Sequence, residues 1–285
     1  MGSALKVGVV ARTDLDEALD LARRAIELLS RRGAPYFIEA DVASKLSVEG
    51  VRLEDMDVDV LLAIGGDGTI LRTLKKLRCE ASILGVKLGK ICFLGEVEPE
   101  ELEEAVDRLV KARFYVEEAM KLRVGLRGGV EVDAVNEVAV VTGQPAKVVR
   151  LRVSVGGINV YSGLADGVIV ATPTGSTGYA MSAHGPIVDP SLEAFLLVLL
   201  NPLNLSYRPL VASAAEIVEV EVGKPGPGAV VVVDGEVTEK MESGGRVRVW
   251  RSPLKARFIR FHEGRAGFYR RLGRLFEART AALEP

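Results

Sequence analysis

Cysteine is nearly missing from this 285-residue chain. Cys79 and Cys92 are too few for a disulfide framework and lack metal-ligand spacing. Two reduced thiols in a cytoplasmic protein are the expectation. Histidine is equally scarce: His184 and His262 cannot build a structural zinc cluster, and no metal site is expected. No Gly-x-Ser-x-Gly elbow accompanies His184, which argues against a hydrolase triad. Hydrophobic runs are short. Leu192–Leu200 stops at Pro202, well under the ~18 apolar residues of a membrane span. An apolar strand begins directly after Lys6, so no secretory leader is expected. Gly2 lacks the Ser or Thr that a myristoylation signal needs at the position held by Lys6. There is also no excess charge of one sign. A formal net charge of -2 gives no reason to expect nucleic acid or an anionic membrane as partner. Aromatics are only 5%, so aliphatic side chains must fill the core. Glutamine occurs once, at Gln144, among abundant Arg and Glu, a balance that hints at a thermophilic source.

What is present is enough for a large core: 48% hydrophobic and 27% charged residues, in a length that suits two domains. Leu5–Ala11, Pro35–Glu39, Val58–Ile64 and Ser82–Val86 read as buried strands. Helical patterns lie between or after them at Asp14–Arg32, Thr69–Leu77 and Pro99–Ala112, with Asp14 as N-cap and Gly33 as stop of the first. Alternation of this kind implies a Rossmann-like parallel sheet covered on both faces. After about residue 120 the texture changes to short strand candidates: Met120–Leu126, Val130–Asp133, Val138–Thr142, Lys147–Val155, Ile158–Tyr161 and Val168–Thr172. A helical interruption is expected between Gly175 and Leu200, and strands resume at Ile217–Val222, Val230–Val233 and Arg246–Trp250. Close spacing suggests a sandwich-like β-rich domain. The expected organisation is an α/β nucleotide-binding domain over 1–118, a β-rich domain over 119–258, and a basic C-terminal segment over 259–285. Its helix Arg265–Ala282 is expected to pack back on the first domain near the acidic stretch Glu98–Asp107.

Two loops carry the chemistry. In Gly65-Gly66-Asp67-Gly68-Thr69 a buried strand runs through three glycines into a helix. Glycines let backbone N–H groups approach a ligand, and a helix N-terminus capped by Thr69 favours an anion such as a di- or triphosphate. Asp67 sets this loop apart. A carboxylate there repels phosphate unless it faces a metal ion or takes a proton from an attacking hydroxyl; the plainer alternative is an Asp that caps the helix. The second loop is Thr172-Pro173-Thr174-Gly175-Ser176-Thr177-Gly178-Tyr179, which follows Asp166-Gly167 and offers hydroxyls suited to ribose or phosphate. Asn136-Glu137 is a polar pair between apolar strands, which either a ligand or a sheet-end turn would satisfy.

In that order these segments resemble the NAD kinases. Gly65–Thr69 looks like the family's Gly-Gly-Asp-Gly-Thr loop, and Gly85-Val86-Lys87-Leu88-Gly89-Lys90-Ile91-Cys92-Phe93-Leu94 is similar to its G-V-N-x-G-x-L-G-F-L segment. Asn136-Glu137, Asp166-Gly167, Thr172–Tyr179, Arg208-Pro209 and Asp234-Gly235 match later landmarks, so the resemblance covers residues 5 to 240. It implies transfer of a phosphoryl group, with Mg²⁺, from ATP or polyphosphate to the 2′-hydroxyl of the adenosine ribose of NAD. Asp67 would be the base, Gly68 part of the nucleotide loop, and Arg72 a phosphate contact. Phe93, Asn136, Glu137 and Lys147 would contact ligand; Asp166, Thr174, Thr177, Gly178, Tyr179 and Ser182 would complete the dinucleotide pocket, with Asn201 and Glu236 beside it. The resemblance also implies a homo-oligomer, dimer or tetramer, with sites near subunit contacts. The chain departs from the pattern at Lys87 (Asn), Cys92 (Gly), Gly178 (Ala), Leu203 (His) and Glu236 (Gln). Lys87 adds a positive charge that would favour a polyanionic donor. The same loop in a lipid or sugar-phosphate kinase, and a non-catalytic dinucleotide-binding regulator, are the alternative readings.

Overall fold

The computed structural model describes residues 4–89, 92–262 and 265–281. Gly2, Lys90, Ile91 and Ala282, to which expectations were attached above, lie outside the described residues. Along the chain run β1 (Val7–Ala11), α1 (Asp16–Arg31), β2 (Tyr36–Ile38), α2 (Ala40–Leu46), β3 (Val60–Gly65), α3 (Asp67–Lys76), β4 (Ser82–Lys87) and α4 (Leu102–Val110). Then follow β5 (Tyr115–Gly125), β6 (Glu131–Ala134), β7 (Glu137–Thr142), β8 (Val149–Val155), β9 (Ile158–Ala165), β10 (Gly167–Ala171) and α5 (Tyr179–Ser182). The chain finishes with β11 (Ala194–Leu200), β12 (Leu210–Ser213), β13 (Val218–Val222), β14 (Ala229–Val233), β15 (Glu236–Met241), β16 (Arg246–Arg260) and α6 (Arg265–Ala281). They form two compact units: Met1–Glu118 with Arg257–Pro285, and Ala119–Ala256.

In the first unit β1 pairs in parallel with β2 and β3, and β3 in parallel with β4. Every residue of β1, β3 and β4 is buried. Continuous burial is what helices on both faces require, and it explains the valine-rich runs that do not alternate. Val7, Val9, Val60, Leu62, Ile64 and Leu84 pack against Leu21, Ala22 and Leu29 of α1 and Leu102 and Leu109 of α4. The helix expected to begin at Asp14 begins at Asp16 with Leu15 as N-cap; Asp14 instead pairs with Arg12 at 2.8 Å. Phe258 of β16 aligns in parallel with Ile83 of β4. The basic α6 carries buried Arg271, paired with Glu117 at 3.0 Å and Glu96 at 3.7 Å, and Arg274, 3.7 Å from Glu98.

In the second unit an antiparallel sheet of order β12-β11-β10-β7-β14-β15 packs one face on strands β8, β13 and β16. Val138, Val170, Phe195 and Val231 meet Leu151, Val153, Val220 and Val249 in one core, so this is a β-sandwich. The segment Gly175–Leu200, expected to be helical, contributes only a 3₁₀ turn (Thr174–Thr177) and the single turn of α5 before becoming strand β11. The cause is burial on both faces. Phe195 and Leu197 enter the sandwich core while Leu196, Val198 and Leu200 join a cluster on the other face. An unbroken apolar run cannot distinguish that from a buried helix by periodicity.

Candidate active site

In the first unit β3 delivers the glycine-rich loop and α3 starts directly in it, with Gly66 as N-cap and Asp67 in its first turn. Thr69, expected as the cap, lies inside the helix. The Asp67 carboxylate does not cap either. Its oxygens accept from the backbone N–H groups of Phe93 (3.0 Å) and Leu94 (2.8 Å), and the Cys92 sulfur lies 3.2 Å away. The plain reading of Asp67 as a helix cap therefore fails on geometry. Beside the loop is a cavity of about 310 Å³ bounded by Arg12, Thr13, Asp14, Gly66, Thr69 and Arg72. It has the helix N-terminus and two guanidinium groups to offer a phosphate chain. Arg72 is half-buried and held only loosely, 3.9 Å from Asp41. Arg12 and Thr13 were not singled out from sequence. Their position just after β1, next to the end of β3 in a parallel sheet, is the signal that could have found them.

Phe93 is buried and edge-packed on Phe268 at 5.8 Å, so its ring serves the core of this unit. Lys87 is buried too, and its Nζ bonds Glu98 at 2.6 Å. That partner neutralises the charge expected to favour a polyanionic donor.

In the second unit Asn136-Glu137 sits where β6 ends and β7 begins. The Asp234 carboxylate accepts from the N–H groups of Val135 (2.7 Å), Asn136 (2.8 Å) and Glu137 (3.1 Å), which fixes the backbone of the pair. Thr172 closes the other side: its N–H donates to the Asn136 carbonyl at 2.8 Å and its hydroxyl to that of Val135 at 2.6 Å. Gly175 then passes so near that a Cβ would overlap the Asn136 carbonyl. Only glycine permits that approach. One side-chain oxygen of each residue of the pair is left unsatisfied. Asn136 Oδ1 and Glu137 Oε2 are buried without a hydrogen-bond partner. A Cβ on Gly178 would stand 3.3 Å from Glu137 Oε2, a tight contact that asks the carboxylate to give by a few tenths of an ångström, and 3.5 Å from Asn136 Nδ2. Burial first, and then the Asp234 charge, push Glu137 up to about 7, against the opposing hydrogen bond from the Tyr179 backbone. Asp234 itself is raised by burial. Buried polar atoms without partners call for a ligand, and a ribose diol supplies the donors that a carboxylate and an amide oxygen lack.

The structure gathers Asn136, Glu137, Thr174, Thr177, Gly178 and Tyr179 at one end of β7 and β10. Thr177 donates to the Thr174 carbonyl at 3.0 Å, and the Tyr179 ring is exposed. Ser182, exposed, closes α5, and Glu236 lies exposed at the start of β15, beyond the Asp234 turn. Three other expected residues are elsewhere. Asp166 accepts from Asn201 Nδ2 at 2.8 Å at the opposite end of β10, where Gly167 faces Val141, and Lys147 lies exposed in the loop after β7. Five residue steps of strand, roughly 17 Å, separate Asp166 from Ala171, the partner of Glu137.

A glycine-rich loop beside a phosphate-sized cavity on a parallel sheet, and a buried polar pair with unpartnered oxygens on a β-sandwich, are the features of a nucleotide-dependent phosphotransferase. Known proteins share both halves. The profile of the ATP-NAD kinase N-terminal domain matches residues 7–114 and that of the ATP-NAD kinase C-terminal domain residues 135–261. The NAD kinase of Methanopyrus kandleri is 47% identical over 258 residues, 90% of this chain and 92% of its own. A crystal structure of an NAD kinase from Archaeoglobus fulgidus in complex with ATP superposes with a TM-score of 0.79 at 30% identity, covering 95% of this chain and 99% of that one. Yeast NADH kinase complexed with NADH has the same fold, with a TM-score of 0.89 at 21% identity over 97% of this chain and 89% of its own. The chain belongs to the NAD kinase family. It is an enzyme of that phosphotransferase class, and the alternative readings, a lipid or sugar-phosphate kinase and a non-catalytic regulator, are unsupported.

Proposed function

We propose that this enzyme moves the terminal phosphoryl group of ATP to the 2′-hydroxyl of the adenosine ribose of NAD, giving NADP. The observation that carries the acceptor is the pair of buried, unpartnered oxygens on Asn136 and Glu137. Ribose hydroxyls donate to them. Asp67 takes the 2′-hydroxyl proton; the oxygen attacks the terminal phosphorus, and the bond to ADP breaks with its electron pair going to ADP. The cavity beside Gly66, Thr69, Arg12 and Arg72 receives the donor phosphates. Mg²⁺ enters with the donor as part of the substrate.

Asp166, Asn201 and Lys147 lie at the far end of the strands from Asn136-Glu137. If all contact NAD, a homo-oligomer that brings one copy's far end to another copy's pair is the simplest arrangement. Two free cysteines fit a cytoplasmic site of action, and no helix among the described residues is long and apolar enough to cross a membrane. The test is purified protein with NAD and Mg²⁺, comparing ATP with polyphosphate and reading NADP. NADP formed with either donor supports the reading and identifies the donor; donor hydrolysis without a 2′-phosphorylated product overturns it.

A further inference from the structure

Asp67 owes its orientation to the segment that follows β4. Its Oδ1 accepts from Leu94 N–H at 2.8 Å and lies 3.2 Å from Cys92 Sγ; its Oδ2 accepts from Phe93 N–H at 3.0 Å. The thiol proton has two acceptors within reach, Asp67 Oδ1 and the Gly65 carbonyl oxygen at 3.9 Å. The carboxylate is nearer and charged, so it takes the bond. The sulfur in turn accepts from the Gly95 backbone N–H. A Cβ at Gly95 would stand 2.9 Å from Cys92 Sγ and 2.5 Å from Lys87 Cγ, so the two departures from the family pattern are packed around one glycine. Burial, and then the Asp67 charge, hold the Cys92 thiol far above its ordinary range. It therefore acts as a donor and not as a thiolate that would repel Asp67.

We propose that Cys92 is a positioning residue for the transfer: its S–H, with Leu94 N–H, fills both lone pairs of Asp67 Oδ1 and leaves Oδ2 as the oxygen that accepts the ribose proton. The inference rests on Asp67 being the base. A carboxylate oxygen offers about two acceptor sites. Oδ2 carries a single bond, so one lone pair stays open, and it points where the fixed Oδ1 makes it point. A thiol is a weak donor, so the contribution is a refinement of geometry, not a requirement for turnover.

The experiment compares wild type, Cys92→Ala, Cys92→Ser and Asp67→Asn for kcat, for KM of NAD and of ATP, and for thermal midpoint. Cys92→Ala is expected to lower kcat about 3–10-fold with both KM values unchanged within about twofold. Cys92→Ser, which restores a donor of similar size, recovers most of that loss. A Cys92→Ala enzyme with wild-type kcat, or a Cys92→Ser enzyme as slow as Cys92→Ala, overturns the positioning role. Should Cys92→Ala unfold, Cys92→Val, which fills the space without a donor, takes its place beside Cys92→Ser, and equal kcat in the two overturns the role. The two readings separate cleanly: Asp67→Asn with near-normal turnover removes the base and this inference together. An inactive Asp67→Asn beside a normal Cys92→Ala removes this inference alone.

Discussion

Two carboxylates, one in each unit, are prepared in opposite ways. Asp67 of the first unit meets three donors, two backbone N–H groups and a thiol. Glu137 of the second unit is more deeply enclosed, faces Asp234, and keeps Oε2 without any partner. The first arrangement fixes the orientation of the carboxylate, which is what the proposed proton transfer needs. The second keeps a group poorly satisfied until a hydroxyl-bearing ligand arrives, so binding relieves a cost that folding left behind. On the proposed reading, positioning and recognition are divided between a nearly saturated carboxylate, with one lone pair of Oδ2 open, and an unsaturated one.

The largest expected effect tests the saturated side. Asp67→Asn should lower turnover by at least about two orders of magnitude, while NAD binding, measured by calorimetry, stays close to wild type. Loss of NAD binding in that variant would show Asp67 to be a binding group, and the division would collapse. Next comes the scaffold of the unsaturated side. Gly175→Ala forces a Cβ into the Asn136 carbonyl, so the backbone must move. The KM for NAD should rise at least about tenfold, with the KM for ATP little changed. A normal KM for NAD would mean that the placement of Asn136-Glu137 does not govern acceptor binding.

How much of this was legible in the sequence varies with the physics of each element. The strands β1, β3 and β4 were readable because apolar runs bounded by Gly and Asp in an alternating chain have few other uses. Strand β11 was not, since Phe195–Leu200 buries both faces and carries no period. The Asp67 loop could be found by its glycines, but not the thiol and amides that hold it, which come from 25 to 27 residues further along the chain. Asn136-Glu137 was visible as polar residues among valines. The role of Asp234 in fixing them, from 97 to 99 residues away, depends on β14 lying beside β7. Local pattern reveals which residues are out of place; only pairing across the sheet reveals what they are held by.

A middle-sized effect follows from the titration of Glu137, raised to about 7 by burial and Asp234. A ribose hydroxyl donates to the ionised form, so the KM for NAD should climb toward tenfold per pH unit as pH falls below about 7, and Glu137→Gln should flatten that slope at a higher KM. Stability runs the other way. A carboxyl whose folded value lies above its unfolded one contributes stability that is complete below about 4.5 and is lost as pH rises through about 7. Ligand-free wild type should therefore lose thermal midpoint relative to Glu137→Gln between pH 5 and pH 8. Parallel midpoints across that range would show Glu137 to titrate alike in the folded and unfolded chain.

The smallest expected effect lies at the donor cavity and asks whether the first unit is saturated throughout or only at Asp67. Arg72 is half-buried and lies 3.9 Å from Asp41, too far for a good hydrogen bond. Its guanidinium is thus free to turn to a donor phosphate without first breaking a strong pair. Arg12, by contrast, is engaged by Asp14 at 2.8 Å through two hydrogen bonds. Arg72→Ala should raise the KM for ATP about 3–10-fold, leave the KM for NAD unchanged, and steepen with added salt less than wild type does. Arg12→Ala should change the KM for ATP less, since its charge is already answered by Asp14. If Arg12→Ala proves the more damaging, the prior pairing with Asp14 is what orients the phosphate contact, and preorganisation extends from Asp67 across the whole cavity.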